Sequence, residues 1–271
     1  MEKWEEYAAE VLEAMDDGNY AEGIKYATMC IDAGCKEIKI YSLRGYCYLE
    51  SGNYLAAIED LNRYIKKVKN DYLVIVFRGI CYLNINEHKK ALKDFDIGVK
   101  NMPDDRDAYF NRGVCLSYLR EHKRAIADLN KSEKLGCEEA LIWRQRGFCN
   151  FSLQNNKEAK KDILHYTTLI NTDAYCFYIL SKIEEAKEDW HEAIKYVSQA
   201  IYLDGENTDY YIDRMHLYNK TDQREKADAD FIRANDTDPT KIGFMIGGKF
   251  KSLADIRAEH DDFSESDDSK P

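Results

Sequence analysis

The 271-residue chain is long enough for two globular domains, and its 44% apolar and 33% charged residues suit a folded protein with much surface. A net charge of −11 disfavours non-specific binding to nucleic acid or an anionic membrane as the main role. No run of 18 or more apolar residues is encoded, which argues against a transmembrane helix.

The first fifteen residues are acidic and amphipathic and lack the basic start and apolar stretch of a signal peptide, which points to a cytoplasmic or nuclear protein. Over 38–71 the pattern is complete. Tyr41, Gly45 and Tyr48 fall at i, i+4 and i+7, one face of a 3.6-period helix. Gly52-Asn53 then breaks it, glycine supplying the φ > 0 that a helix end uses. Tyr54, Ala57, Leu61 and Tyr64 follow on one face of a second helix. The same helix–turn–helix returns every 34 residues. Gly45, Gly79, Gly113 and Gly147 form one column, and Gly23, Ala57, Ala91, Ala125, Ala159, Ala193 and Ala227 another. Small residues in those columns let two helices approach closely. Seven repeats fit without insertion, at about 4–37, 38–71, 72–105, 106–139, 140–173, 174–207 and 208–241. In the first and sixth, Val11 and Ser181 replace the glycine.

A fixed period of this length marks a solenoid of stacked units. The third repeat reads Ile75, Gly79, Tyr82, Ala91, Phe95, Gly98, Pro103, and the seventh reads Tyr211, Met215, Tyr218, Ala227, Phe231, Ala234, Pro239. These columns resemble the tetratricopeptide repeat (TPR) family. The resemblance implies an all-α, right-handed α-solenoid of seven helix–turn–helix units.

Eight cysteines suggest a disulfide framework or a metal site. Cys47, Cys81, Cys115 and Cys149, however, share one repeat position, and equivalent positions a helix pair apart exceed the roughly 7 Å reach of a disulfide. There is no CxxC, and no histidine completes a ligand set. The cysteines read as small buried hydrophobes, free thiols suited to a reducing compartment. No metal or cofactor is expected.

Arg44, Arg78, Arg112, Arg146 and Arg214 occupy position seven of their repeats, and Asp60, Asp94, Asp128, Asp162 and Asp230 occupy position twenty-three. Where the arginine is absent (Glu10, Leu180) the aspartate is too (Tyr26, Tyr196). That co-occurrence predicts a ladder of partly buried Arg–Asp pairs rather than a row of arginines for phosphate or acidic peptides. No P-loop, G-x-S-x-G, HExxH or strand-linked GxGxxG is present, and Ser and His share no register, so no enzyme is expected.

In TPR proteins, positions two, five, nine and twelve of the first helix face a concave groove. Carried over, these include Tyr46, Val76, Ile80, Leu83, Phe110, Val114, Leu141, Arg144, Phe148, Phe151, Tyr178 and Lys182. The groove reads as apolar and aromatic in repeats two to five, turning polar and partly basic at Arg144, Lys182 and His216. A contiguous apolar strip points to a site for an amphipathic helix or extended peptide. The alternatives are that these side chains pack on one another, or that the chain's own C-terminal segment fills the space. The family's two-carboxylate clamp for Hsp70 or Hsp90 tails is not expected. Asn111 is the only position-six asparagine, with Val76, Ile80, Leu141 and Gln145 at the neighbouring clamp positions.

After Pro239 the repeat stops. Ile242, Phe244, Met245 and Ile246, then Phe250, Leu253 and Ile256, suggest an amphipathic helix over 242–260 that caps the last repeat or swings from Gly247-Gly248 into the groove. Residues 261–271 read as a disordered acidic tail, with Ser264 and Ser266 in an acidic context resembling casein kinase 2-type sites. The sequence thus points to a non-enzymatic interaction scaffold or adaptor for a protein or peptide partner. The alternative is a co-chaperone or assembly factor that recognises clients without the clamp.

Overall fold

The computed structural model describes residues 3–246, 249–252 and 254–255. Fourteen α-helices make up nearly all of them, in consecutive pairs. The first four pairs are α1 (Lys3–Asp16) with α2 (Tyr20–Asp32), α3 (Lys39–Glu50) with α4 (Tyr54–Lys67), α5 (Tyr72–Asn84) with α6 (His88–Asn101), and α7 (Arg106–Tyr118) with α8 (His122–Lys134). Then come α9 (Leu141–Ser152), α10 (Asn156–Leu169), α11 (Ala174–Glu185), α12 (Trp190–Leu203), α13 (Thr208–Lys220) and α14 (Arg224–Thr237). The described residues form two compact units, one up to Leu153 and one from Gln154 onward. The amino-terminal unit holds α1 to α9 and the carboxy-terminal unit α10 to α14, the division falling in the turn of the fifth repeat.

The turn between the two helices of a repeat is the same in all seven. Gly18, Gly52, Asn86, Arg120, Gln154, Glu188 and Asp222 each adopt a left-handed conformation, with φ between +59° and +74°. In that conformation the chain reverses and the next amide reaches back to an otherwise unpaired carbonyl of the first helix. Asn53 N–H donates to Tyr48 O at 2.8 Å, Glu121 N–H to Leu116 O at 2.9 Å and Asp189 N–H to Glu184 O at 3.0 Å. Only two of the seven are glycine, so the turn is imposed by the packing of the helices as much as by local preference. Side-chain oxygens of Asn19, Asn53, Asp71, Asp105, Asp173, Asp189 and Asn207 then accept from the first amides of the helices they precede.

The glycine and alanine columns sit where the helices cross. A Cβ on Gly45 would lie 2.8 Å from Leu61 Cδ2, on Gly79 2.8 Å from Phe95 Cε1, and on Gly113 2.9 Å from Leu129 Cγ. Ala57, Ala91, Ala125, Ala159 and Ala193 are fully buried. In the first repeat glycine stands in the alanine column, and the Cys47 sulfur of the next repeat occupies the space, 2.7 Å from where a Gly23 Cβ would be. The cysteine column therefore packs against the preceding hairpin; Cys115 Sγ likewise lies 3.2 Å from His88 O. None of the eight cysteines is in a disulfide, and seven are buried.

The segment after Pro239 differs from the helix expected over 242–260. Its described residues form an antiparallel ribbon, β1 (Gly243–Ile246) with β2 (Lys249–Ser252), Ile246 pairing with Lys249. The reason is legible afterwards. Lys249-Phe250-Lys251 alternates with period two, and two glycines between apolar runs are a two-residue hairpin signal. Ile242 packs with Tyr211 and Ala234, so the chain leaving α14 covers part of the last repeat before the ribbon. Ser252 and Asp255 bond each other reciprocally, the Ser252 amide and hydroxyl to Asp255 Oδ2 at 3.1 and 2.7 Å. The remainder of the expected helix, the acidic tail 261–271, Ser264 and Ser266 lie outside the described residues.

Candidate functional site

In the amino-terminal unit the first helices contact one another in order, α3 with α5, α5 with α7 and α7 with α9. This brings most of the predicted groove residues side by side. Ile80, Leu83, Val114, Phe148 and Phe151 are half-buried. Leu73 on α5 and Leu141 on α9, at position two of their repeats, are 48% and 41% exposed, a large fraction for leucine. Phe110 is half-buried against Leu129, Cys137 and Ile142. Tyr46 packs on Phe77 with ring centres 4.9 Å apart, and burial pushes its phenol up to about 12, with Glu50 and Tyr20 adding to the effect. The Arg144 guanidinium lies 4.6 Å from the Phe148 ring centre, a cation held over an aromatic face.

Val76 does not join this surface. It is 3% exposed and inserts against α6, where a Cβ on Gly98 would come 2.5 Å from its Cγ2. Glycine at 98 and alanine at 108 leave a socket that valine fills, so Val76 belongs to the core beneath the strip. Tyr178 and Lys182 belong to the carboxy-terminal unit. There the Tyr178 hydroxyl donates to Asp213 at 2.6 Å, and the Lys182 ammonium lies 2.6 Å from Glu185 and 3.3 Å from Asp213. The basic character expected at Lys182 is thus offset by two carboxylates.

The arginine column is paired. Arg44 meets Asp60 at 2.6 and 3.0 Å, Arg78 meets Asp94 at 2.8 and 2.7 Å, Arg112 meets Asp128 at 2.6 and 2.9 Å, and Arg214 meets Asp230 at 2.8 and 2.7 Å. Each is the two-point fork of a guanidinium on a carboxylate. The remaining nitrogen, Nη1, bonds the second helix of the preceding repeat: Arg44 to Thr28, Arg78 to Asn62, Arg112 to Asp96, Arg146 to Asn130 and Arg214 to Ser198. Sequence reasoning missed this acceptor column. Its signal was present, because residues 28, 62, 96, 130 and 198 are polar ahead of an arginine, while Leu164 precedes the repeat in which Leu180 replaces it.

That sixth repeat uses another ion pair. Lys160 of α10 and Lys187 reach the buried Glu184 carboxylate at 2.8 and 2.9 Å. Burial alone would raise the Glu184 carboxyl, but the two lysine contacts outweigh it and hold it below its usual range. Among the described residues no group of three His, Cys, Asp or Glu side chains is placed to hold a metal ion. No helix among them is long and apolar enough to cross a membrane.

A helical repeat protein of hairpin units is the class this architecture defines. The tetratricopeptide repeat family model matches residues 38–66, the α3–α4 hairpin, and the helix-hairpin repeats among the described residues fit that family. No curated protein matches the sequence. Solved structures match by fold. The C-terminal part of a TPR repeat-containing protein from Cytophaga hutchinsonii superposes with a TM-score of 0.62 at 18% identity, covering 85% of this chain and 95% of that one. A tetratricopeptide repeat protein from Parabacteroides merdae gives 0.59 at 14% identity, over 87% and 93%. YrrB, described as a TPR protein with an unusual peptide-binding site, gives 0.58 at 19% identity, over 67% and 94%.

Proposed function

We propose that the chain is a non-enzymatic protein-interaction scaffold whose amino-terminal unit binds an apolar segment of a protein partner, an amphipathic helix or an extended peptide, along the first helices α5, α7 and α9. The observation that carries this reading is the row from Leu73 through Ile80 and Phe110 to Leu141 and Phe148. Those residues leave large apolar side chains partly in water along three consecutive first helices. Covering such side chains is favourable by about 25 cal/mol per Å² removed from water, which rewards a partner that presents apolar groups at helical or extended spacing. YrrB supports the reading only as a protein of like fold with a peptide-binding site.

The test is affinity purification from native cells with the wild-type chain and with a Leu73→Ser/Leu141→Ser variant, followed by titration of the recovered partner's segment. Both positions are exposed, so the variant should keep the wild-type helical circular dichroism. A partner segment that binds wild type and is lost from the variant supports the reading; equal retention by both overturns it.

A further inference from the structure

The end of α2 brings two cysteines together. Gly34, just past the helix, takes a left-handed conformation at φ +88°. Its amide donates to Ile31 O at 3.0 Å, and the Cys35 amide donates to Cys30 O at 3.1 Å. A helix ending of this kind sets the residue after the glycine against the residue five places back. Here both are cysteine. Cys35 packs against the cluster of Val11, Ala27, Cys30 and Ile40, at the seam between the first and second repeats. Burial first, then the hydrogen bond with Cys35, push the Cys30 thiol up to about 12.

The two thiols differ in access, Cys30 being fully buried and Cys35 half-buried. Packing alone does not ask for two sulfurs. The same turn closes α8, with Gly136 at φ +86° and the Cys137 amide donating to Ser132 O at 3.1 Å. There Cys137 is buried, and Ser132, in the place of Cys30, donates its hydroxyl to Arg106 O at 2.8 Å. One thiol serves the turn of the fourth repeat. In the first repeat a reachable thiol has a second one behind it.

We propose that Cys30 and Cys35 form a thiol–disulfide exchange site, oxidised to a reversible disulfide by a low-molecular-weight disulfide of the glutathione type. Access fixes the order. The Cys35 thiolate attacks one sulfur of the small disulfide, whose S–S bond breaks and releases one thiolate, leaving Cys35 in a mixed disulfide. The Cys30 thiolate, already beside Cys35, then attacks the Cys35 sulfur and expels the second small thiolate. The two protons lost by the cysteines go to the two expelled thiolates. The protein gives up two electrons and the small disulfide takes them, so the exchange balances with no other reagent. Closure by Cys30 is the slower step, because its thiol is the harder to ionise and the thiolate is the reactive form. The new bond ties the last turn of α2 to the connection leading into α3.

The experiment equilibrates the reduced full chain at fixed glutathione with rising glutathione disulfide, in native buffer and in urea. Acid quench, alkylation in denaturant and trypsin follow. Cys30 and Cys35 share the tryptic peptide 26–36, and Cys137 lies in 135–144. In the native chain, peptide 26–36 should lose two hydrogens and escape alkylation, and dithiothreitol should reverse this. Half conversion should need roughly tenfold less disulfide than in urea, since the folded turn already holds the sulfurs together. Native Cys137 should stay alkylatable throughout, and Cys30→Ala should leave Cys35 carrying a glutathione adduct. The proposal is overturned if wild type keeps a stable glutathione adduct on Cys35, if the native chain needs as much disulfide as the chain in urea, or if Cys137 is modified as readily as peptide 26–36. These three outcomes are read on the wild type, so they stand even if Cys30→Ala fails to fold. A folded Cys30→Ala chain whose Cys35 takes no adduct would overturn the proposal as well.

Discussion

Arg78 and Asp94 meet at two points, Nε to Oδ2 at 2.8 Å and Nη2 to Oδ1 at 2.7 Å, while Nη1 of the same guanidinium holds Asn62 of the preceding repeat at 2.7 Å. One side chain thus ties the two helices of its own hairpin and fastens that hairpin to its neighbour. The aspartate side chain is only 5% exposed and the arginine 19%, so the pair is worth more than a surface ion pair. Asp94→Ala should destabilise the chain by about 1–3 kcal/mol, since it leaves the guanidinium half-paired in a dry site. Arg78→Leu combined with Asp94→Tyr copies what the sixth repeat carries at Leu180 and Tyr196 and should cost less than Asp94→Ala alone. Urea titration of the three variants checks this. A double variant less stable than Asp94→Ala would show that the pair does more than satisfy itself.

The seven left-handed turns give a prediction of opposite signs. Gly52 has φ +74° with nothing within 4 Å of an added Cβ, so Gly52→Ala should lose about 1 kcal/mol through backbone strain alone. Glu188 holds the same conformation at φ +61° with a side chain, so Glu188→Gly should gain roughly 0.5 kcal/mol, the relieved strain less glycine's extra unfolded entropy. Thermal melts of the two variants should move in opposite directions. A shared direction would mean that something other than turn strain decides.

Much of this was written in the 34-residue period. A repeated small residue against a repeated large one, as Gly79 against Phe95, fixes where helices cross, and a co-occurring Arg and Asp fixes a contact between them. These features are local and recur, so one sequence supplies several readings of each. What the period could not supply was anything that occurs once. Val76 falls at a groove position by register, but Gly98 opens a socket that draws it inward. Lys182 looked like a free cation until Asp213, from the next repeat, was placed beside it. The segment after Pro239 has no second copy in the chain, and its apolar spacing fits both a helix and the ribbon it forms. There the Gly-Gly turn signal, not the spacing, was informative.

The cysteine column predicts a labelling pattern. Burial pushes the Cys81 thiol up to about 12 and those of Cys47, Cys115 and Cys149 up to about 11, with the sulfurs packed against the preceding hairpin. The thiolate is the reactive form, so these four should resist iodoacetamide at pH 8. Cys35 is only half-buried and should react first. Peptide mass spectrometry of native protein should find label on Cys35, with the column labelled only after denaturant is added. Early labelling of Cys81 would mean that the α5–α6 hairpin opens far more readily than its packing implies.

The pair that replaces the ladder in the sixth repeat should be visible in the pH dependence of stability. Lys160 and Lys187 hold the Glu184 carboxyl below its unfolded value of about 4.3 despite burial. A carboxyl lowered on folding binds fewer protons in the native state, so its contribution is fully present above about pH 4.3 and fades as pH falls through the depressed value. Glu184→Gln should therefore cost about 1–2 kcal/mol at pH 7, where two lysines lose a charged partner that is only 5% exposed. On acidification below about pH 4 the wild type should lose that advantage and the two melting temperatures should converge. Melting curves of both proteins between pH 3 and pH 7 decide the matter. A constant gap across that range would mean that Glu184 acts through shape rather than charge, and a gap that widens on acidification would reverse the sign derived from its two lysine partners.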